Sequence, residues 1–273
     1  MSRRKSICLQ IFLLCLLLVF LTPIRLYLKE RSKVSGFEAT SNETDSFRRQ
    51  EISLSLLEKI KRECQKEGLD FSEGITLTML HGDFEPDTVF LQDELYLKYK
   101  EEAYLSMLNS YQGIWEDVQC FPVLMEEGYY EDTWMAPRNY RGERTHEGTD
   151  IFGDVELAGY YPVVSMTDGI VEKVGWLPLG GYRIGIRSPS GGYYYYAHLD
   201  SYEKNFQEGE AVTAGQILGF MGDSGYGTEG TKGKFAVHLH LGIYIRTKHH
   251  KELSVNPYPV LKYTEKNIQN SKF

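Results

Sequence analysis

The segment FAVHLHLGIYI, residues 235–245, indicates both the type of fold and the position of a site. Its apolar, branched and aromatic residues are typical of a β-strand. Because successive side chains of a strand point to opposite faces, His238 and His240 would share one face while Leu239 and Leu241 face a core. An imidazole on such a strand needs polar partners. The segment therefore favours a site over the alternative, two core histidines paired by chance.

Four further segments of strand character precede this one and are separated by turns rich in glycine, proline, aspartate and serine: residues 161–165, 169–174, 182–186 and 193–198. This succession predicts a mainly β domain, a compact antiparallel sheet, over residues 129–262. Pro257 and Pro259 lie near its end, and residues 263–273 are predicted to form a frayed polar tail.

A second histidine motif, RTHEGTD, occupies residues 144–150. It begins like the His-Glu-x-x-His helix of metalloproteases, but Asp150 stands where that helix has its second histidine. Gly148 would also weaken a helix. His146 and Asp150 are therefore predicted to lie on a loop and strand that converge on a metal ion, with Glu147 in solvent.

A third histidine, His198, follows a run of tyrosines in YYYAHLD, residues 194–200. By itself it could equally be a strand-end histidine bonded to the backbone. A catalytic zinc site takes three protein ligands, commonly imidazole and carboxylate groups, and leaves one position open. Two histidines and one aspartate meet that number, and two further histidines remain for proton transfer near pH 7.

The three motifs occur in the order His-x-x-x-Asp, Tyr-x-His-Leu and His-x-His, which resembles the lysostaphin/LytM-type zinc peptidoglycan endopeptidases over about residues 130–262. Glycine turns at residues 209–219 and 222–225 also match that family's pattern. The resemblance implies a LytM-like catalytic fold related to the duplicated hybrid motif. It also implies a single Zn²⁺ per chain and hydrolysis of peptide bonds in peptidoglycan.

Carried over by position, the resemblance gives roles to six residues. The metal ligands would be His146, Asp150 and His240. His198 and His238 would be the catalytic pair, which handles the proton of the attacking water and stabilises the tetrahedral intermediate. Tyr140, upstream of the first motif, would bind the substrate at its oxyanion.

A non-catalytic LytM-like scaffold or activator in division or sporulation is the alternative function. Such a module could lose ligands, whereas all five histidine and aspartate positions are intact in this sequence, which favours an enzyme. A purely structural zinc site would need a fourth protein ligand, and no cysteine is suitably placed.

The N-terminus has the pattern of a membrane anchor. Arg3, Arg4 and Lys5 precede an apolar run, and a helix over residues 6–24 would rise about 28 Å, close to the hydrocarbon thickness. Residues 21–26 offer no small-residue cleavage site, so residues 1–33 are predicted to be a cytoplasmic tip and transmembrane signal anchor; a cleaved signal peptide is the alternative. Basic residues flank both ends, so an extracytoplasmic catalytic domain facing the cell wall is expected from function, not from charge.

Between anchor and β domain, residues 34–46 are polar and aperiodic and are predicted to be a flexible spacer. Residues 47–128 are predicted to be a helical stem. A first helix has Leu56, Leu57, Ile60 and Cys64 at helical spacing and ends at Gly68. A second helix is predicted over roughly residues 88–116, with one apolar stripe made of Leu97, Tyr104, Leu108, Tyr111 and Trp115. Residues 75–84 could be a helix or a strand.

The formal net charge of -8 argues against a nucleic-acid partner. The expected partners are the peptidoglycan peptide, the membrane through the N-terminal helix, and a protein that the helical stem could bind. Cys64 and Cys120 could form a disulfide outside the cytoplasm or remain two free thiols.

Overall fold

The computed structural model describes residues 3–139 and 142–270, and it combines a helical part with an antiparallel sheet. The helices are α1 (Arg3–Lys33), α2 (Asp45–Arg49), α3 (Leu54–Glu67), α4 (Phe71–His81), α5 (Glu94–Trp115) and α6 (Tyr258–Asn270). A short 3₁₀ turn, Ser41–Glu43, precedes α2.

Twelve strands follow along the described part of the chain: β1 (Gly128–Tyr130), β2 (Pro137–Arg138), β3 (Arg144–Thr145), β4 (Thr149–Gly153), β5 (Pro162–Val164), β6 (Gly169–Leu177), β7 (Gly181–Arg187), β8 (Tyr193–Tyr202), β9 (Ala211–Val212), β10 (Ile217–Met221), β11 (Leu239–Ile245) and β12 (Leu253–Val255). The large sheet has the order β1-β4-β11-β8-β7-β6-β9, with β10 beside β5 and β8, and β12 beside β11. Strands β2 and β3 form a separate hairpin. The predicted antiparallel sheet is confirmed.

Helix α1 matches the predicted anchor in length and composition. Its segment Gln10–Lys33 is long and apolar enough to cross a membrane, and it is not buried against the rest of the protein. Twenty-four residues of helix rise about 36 Å. The end of α1 contacts α5, where Glu30 accepts hydrogen bonds from Lys98 (2.9 Å) and Tyr99 (2.7 Å). The helix has the length and composition of a membrane span, which a signal sequence shares.

Helix α3 agrees with its predicted pattern. Its four apolar positions from Leu56 to Cys64 are buried, the Ser53 hydroxyl accepts from the Leu56 amide, and Gly68 ends the helix in the left-handed conformation at φ 72°. The segment left open at residues 75–84 belongs to helix α4 as far as His81. Gly74 lets α4 approach α3, because a Cβ there would lie 2.2 Å from Cys64 Sγ.

Helix α5 differs from its prediction at its start. It begins at Glu94, and Lys100 has non-helical backbone angles (φ -146°, ψ 35°). This kink breaks the helical phase between residues 94–99 and the rest of the helix. Tyr104 and Tyr111 are buried as predicted, whereas Leu97 is 40% exposed. The predicted stripe therefore holds only after the kink.

Residues 34–46 and the C-terminal segment also differ from their predictions, because both pack against helices. Val34 and Phe37 are buried in the predicted spacer, and Phe37 packs edge-on against Tyr96 of α5. In the predicted tail, helix α6 continues to Asn270, and Tyr263 stacks on Phe71 of α4 at 5.4 Å between ring centroids. Burial of these aromatic rings stabilises both segments.

The helical part packs against the sheet. The Arg48 side chain donates from Nε to the Ser254 carbonyl of β12 at 3.0 Å, and the Tyr194 hydroxyl of β8 donates to the Ile114 carbonyl at 2.9 Å. At the contact of α5 with the β7–β8 turn, a Cβ on Gly192 would lie 1.8 Å from the backbone of α5. Cys64 and Cys120 are both free thiols.

The sheet separates a core face from an open face. On β11, Leu239, Leu241 and Ile243 are fully buried, and so are Tyr194 and Tyr196 on β8. The alternate residues of these strands point to the other side of the sheet.

Strand β11 begins at Leu239 rather than at residue 235. His238 lies just before the strand, where its amide donates to Gly222 in an isolated bridge.

Candidate metal centre

Three side chains meet on the open face of the sheet, where β4 pairs with β11. His146 Nε2 lies 3.0 Å from Asp150 Oδ1 and 3.0 Å from His240 Nδ1, and these two atoms are also 3.0 Å apart. Asp150 and His240 are direct cross-strand partners, which explains why residues ninety positions apart in sequence touch. The register of β4 and β11 thus brings two of the three side chains together, and the segment between β3 and β4 adds His146.

The three atoms fit a metal ion by number, type and spacing. Two imidazole nitrogens and one carboxylate oxygen are ligands that zinc prefers, and the three form the candidate metal-binding group found among the described residues. A tetrahedral zinc site with bonds of about 2.0–2.1 Å separates its ligand atoms by about 3.3 Å. The observed spacing of 3.0 Å is close to that value. The residues therefore fit the zinc ion that the motifs predict.

Hydrogen bonds behind the cluster orient His146. Its Nδ1 lies 3.2 Å from the Thr133 carbonyl and 3.0 Å from the Thr133 hydroxyl. A carbonyl only accepts, so we assign the proton to Nδ1, which leaves the lone pair of Nε2 directed at the cluster. Only 3% of His146 is exposed, which restricts the ring to this orientation.

Arg138 holds the second oxygen of Asp150. Its Nη2 donates to Asp150 Oδ2 at 2.7 Å, so that Oδ1 faces the two histidines. Burial raises the pKa of Asp150, but the close contacts of its Oδ1 with the His146 and His240 rings outweigh burial, and the pKa lies well below the usual aspartate value. The carboxylate is therefore ionised over the whole physiological range, as a metal ligand must be.

Gly148 allows His240 to take its place. A Cβ at this position would lie 2.6 Å from Cε1 and 2.7 Å from Nε2 of the His240 ring, and 2.5 Å from the Leu241 carbonyl. Contacts this short exclude any side chain unless the strand moves. The glycine between the two ligands of the first motif thus has a packing role that the sequence did not reveal.

Two more imidazoles face the cluster. His238 Nε2 lies 3.6 Å from Asp150 Oδ1, and the ring centroids of His198 and His238 are 4.8 Å apart. Both rings have Nδ1 against a backbone carbonyl, at 2.9 Å for His198 and 2.7 Å for His238. We therefore assign the proton to Nδ1 in both, with Nε2 free to accept a proton.

Burial keeps these histidines neutral. It lowers the pKa of His198 well below the ordinary histidine value, and the neighbouring His238 and His240 lower it further. Burial also lowers the pKa of His238 and of His240. In addition, His198 has a left-handed backbone conformation, φ 63°, at the irregularity between β7 and β8. A strained residue held in this way is common at functional sites.

The structure brings together five of the six predicted site residues. The sixth, Tyr140, lies outside the described residues, and its role stays a prediction. Glu147 is exposed, as expected. The prediction missed Thr133 and Arg138, which reach the cluster from a loop and from the β2–β3 hairpin. No motif marked them, because their contacts depend on how that hairpin folds over β4.

A groove of about 1080 Å³ runs along the open face beside the cluster. Its floor includes residues of β8 and β11 that point away from the core, such as Tyr195 and Tyr244. Phe235 and Tyr226 form part of its lining near His198, and their rings are 4.8 Å apart. Its lining extends across the sheet from Asp150 of β4 to Lys173 of β6, a width of about four strand spacings that an extended peptide can occupy.

Comparison with known proteins identifies the relatives of this domain. The model described as Peptidase family M23 matches residues 144–257, from β3 to just beyond β12. The L-Ala--D-Glu endopeptidase of Bacillus subtilis (strain 168) is 41% identical over 164 residues, 60% of this chain and 49% of that protein. Lysostaphin of Staphylococcus simulans is 32% identical over 119 residues, 43% of this chain and 21% of that protein. The chain thus spans half or less of the length of these relatives.

One solved structure covers nearly the whole fold. It comes from Ruminococcus gnavus and is described as a candidate glycyl-glycine endopeptidase LytM. It is 42% identical in sequence, matches 85% of this chain and 97% of its own, and superposes with a TM-score of 0.72. The match therefore includes much of the helical part as well as the sheet. With its His146–Asp150–His240 cluster, the chain belongs to peptidase family M23, a family of peptidoglycan endopeptidases.

Proposed function

We propose that this chain is a zinc-dependent endopeptidase that hydrolyses peptide bonds of bacterial peptidoglycan. The observation that carries the proposal is the meeting of three ligand atoms at 3.0 Å beside two further imidazoles: His238 Nε2 lies 3.6 Å from Asp150 Oδ1, and the His198 ring centroid lies 6.0 Å from that of His240. Family membership supports the reaction class.

In this proposal His146, Asp150 and His240 bind one zinc ion. Zinc in such a site supplies a Lewis acid that polarises a carbonyl and lowers the pKa of a coordinated water to about 7. The chain supplies the orientation: Thr133 fixes the tautomer of His146, and Arg138 fixes which oxygen of Asp150 faces the cluster. These hydrogen bonds prepare the ligands before substrate arrives.

His238 and His198 act as proton carriers. Their Nδ1 atoms are engaged by backbone carbonyls, so only Nε2 can take up or release a proton at the site. Because their pKa values are depressed, both rings are neutral at pH 7 and ready to accept a proton from the attacking water. Once protonated, the same Nε2 can donate to the leaving amine or to the oxyanion of the tetrahedral intermediate. Tyr140 is proposed to assist at that oxyanion.

The names of two relatives specify different bonds, L-Ala--D-Glu for the Bacillus subtilis protein and glycyl-glycine for the Ruminococcus gnavus protein, and their sequence identities to this chain are nearly equal, 41% and 42%. Of these two bonds we propose the L-Ala--D-Glu type, a bond within the stem peptide. Helix α1 would keep the enzyme at the outer face of the cell membrane, because its exposed apolar segment requires a lipid environment.

The alternative, a non-catalytic scaffold of the same fold, requires no ligands. The complete set of three ligand atoms and two oriented histidines argues against it.

The test is digestion of purified peptidoglycan by the full chain in detergent, with the fragments identified by mass spectrometry. We expect new peptide termini, which disappear when a chelator removes the metal and return when zinc is restored. The variant Asp150→Asn should release none. Intact peptidoglycan after incubation with zinc-loaded chain that retains its fold would contradict the proposal.

A further inference from the structure

Arg183 lies on the open face of the sheet, in line with the metal centre. In β4, β11 and β8, the residues Asp150, His240 and Ala197 are successive cross-strand partners. On β7, the pairs on either side of Arg183 place it opposite residues 197 and 198. Ile184 and Ile186 of the same strand point into the core and are buried. Because side chains alternate along a strand, Arg183 points to the opposite face, where it lines the groove.

Ala197 leaves the groove floor open between Arg183 and His240, because its side chain is a single methyl group. The β7 strand is two strand spacings, about 10 Å, from β11. An extended peptide covers that distance with about three residues. A group on the substrate within three residues of the scissile bond can therefore reach Arg183.

The other basic residues of the groove lie close to defined partners. Arg138 donates to Asp150 at 2.7 Å, Lys173 forms an ion pair with Glu208 at 3.1 Å, and Arg144 donates to the Tyr226 hydroxyl at 2.9 Å. The acidic residue Glu252, also in the groove, pairs with an arginine outside it. These contacts leave Arg183 as a groove cation that pairs with no carboxylate among the described residues.

The guanidinium of Arg183 is also partly desolvated. Its Nη1 is shielded from solvent and has no hydrogen-bond partner within the described part of the chain. The charge of Arg183 also acts on two groove tyrosines. Burial raises the pKa of Tyr193 to about 12 and also raises the pKa of Tyr195, and the positive charge of Arg183 lowers both in part. A buried donor without a partner costs stability, and a ligand that accepts from it recovers that cost.

We propose that Arg183 is a specificity-determining residue that binds a free carboxylate of the substrate peptide within three residues of the bond that is cut. The inference rests on the proposed peptidase function and deepens it. Arginine presents two parallel N–H donors that match a carboxylate, and such paired, charge-assisted hydrogen bonds are among the strongest in proteins. The substrate class is then an acidic peptide, such as one with glutamate next to the cleaved bond, and not a bridge made only of glycine.

Two synthetic peptides test the inference. Both contain an L-Ala–D-Glu bond; in one the glutamate keeps its free carboxylate, and in the other that group is a carboxamide. We expect the zinc-loaded full chain in detergent to cleave the acid peptide with a kcat/KM about 10- to 100-fold higher. Arg183→Gln should remove that preference by lowering kcat/KM for the acid peptide alone. The matched control Lys173→Gln, a groove cation that already has a carboxylate partner, should retain the preference.

Binding to the metal-stripped chain separates this inference from the proposed function, because it requires no turnover and excludes direct contact of the carboxylate with zinc. Calorimetry should show tighter binding of the acid peptide to the unmodified chain and equal binding of both peptides to Arg183→Gln. Equal affinity for the two peptides in the unmodified chain overturns the inference, whether or not either is cleaved. Acid-selective binding that Arg183→Gln abolishes, without cleavage of either peptide, would instead count against the peptidase proposal and leave the binding of the carboxylate by Arg183 standing.

Discussion

Replacing Arg138 by glutamine tests whether the ligand geometry depends on a residue that never touches the metal. Arg138 donates to Asp150 Oδ2 at 2.7 Å and thereby turns Oδ1 toward His146 and His240. Without the guanidinium, the carboxylate loses the charged partner that sets its orientation. It can then rotate away from the other two ligands.

The size of the effect follows from the type of contact. Loss of a charge-assisted hydrogen bond costs about 1.5–3 kcal/mol, and loss of a partner behind a metal ligand lowers metal affinity about 10- to 100-fold. The Arg138 side chain is 35% exposed, so water can partly replace it. We therefore expect the zinc affinity to fall about 10-fold, at the lower end of that range.

The assay is a zinc titration in competition with a chromophoric chelator at constant pH. Arg144→Gln is the matched control, because Arg144 pairs with Arg138 across the same hairpin but donates to Tyr226 instead of Asp150. The control should keep the original affinity, and Arg138→Lys should restore part of the loss. An unchanged zinc affinity in Arg138→Gln, or an equal loss in Arg144→Gln, would refute the role assigned to Arg138.

Gly148→Ala should lower the zinc affinity by about 10- to 100-fold, because the added Cβ would displace the His240 ring. In the control Gly36→Ala, the added Cβ meets nothing within 4 Å, so the zinc affinity should stay unchanged. The same zinc affinity in both variants would contradict the packing role of Gly148. The metal-stripped chain should lose stability as the pH falls from 7 to 5. Burial lowers the pKa values of His198, His238 and His240, so the unfolded chain takes up protons near pH 6.5 that the folded chain does not. The free energy of unfolding then falls by at most about 1.4 kcal/mol per pH unit for each histidine. Denaturant unfolding at several pH values measures this effect, and a constant free energy of unfolding over that interval would be inconsistent with buried neutral histidines.

The site could be predicted in large part because its residues occupy short motifs. Alternation along a strand correctly placed His238 and His240 on one side, although β11 starts only at Leu239, because the bridge from His238 to Gly222 extends the strand geometry by one residue. By contrast, Arg138 and Thr133 make contacts fixed by the path of a loop and a hairpin. A single arginine or threonine in a polar loop carries no pattern from which such a contact can be read.

The helices show the same division between local and long-range causes. Helix α3 followed from apolar spacing, a serine cap and the glycine at its end, all of which are local signals. The kink of α5 at Lys100 did not, because no proline or glycine marks its position in the sequence. The burial of Val34 and Phe37 likewise depends on the distant helix α5 and not on any periodicity around them.

The central claim is that three residues bind the metal while two others move protons, and zinc content measured alongside peptidoglycan cleavage tests it most directly. His146→Ala removes one of the three ligand atoms, whereas His238→Ala removes an imidazole outside that set. We predict that His146→Ala loses both zinc and cleavage, and that His238→Ala keeps one zinc per chain but no longer cleaves. Zinc retained by folded His146→Ala, or lost from folded His238→Ala, would contradict the account.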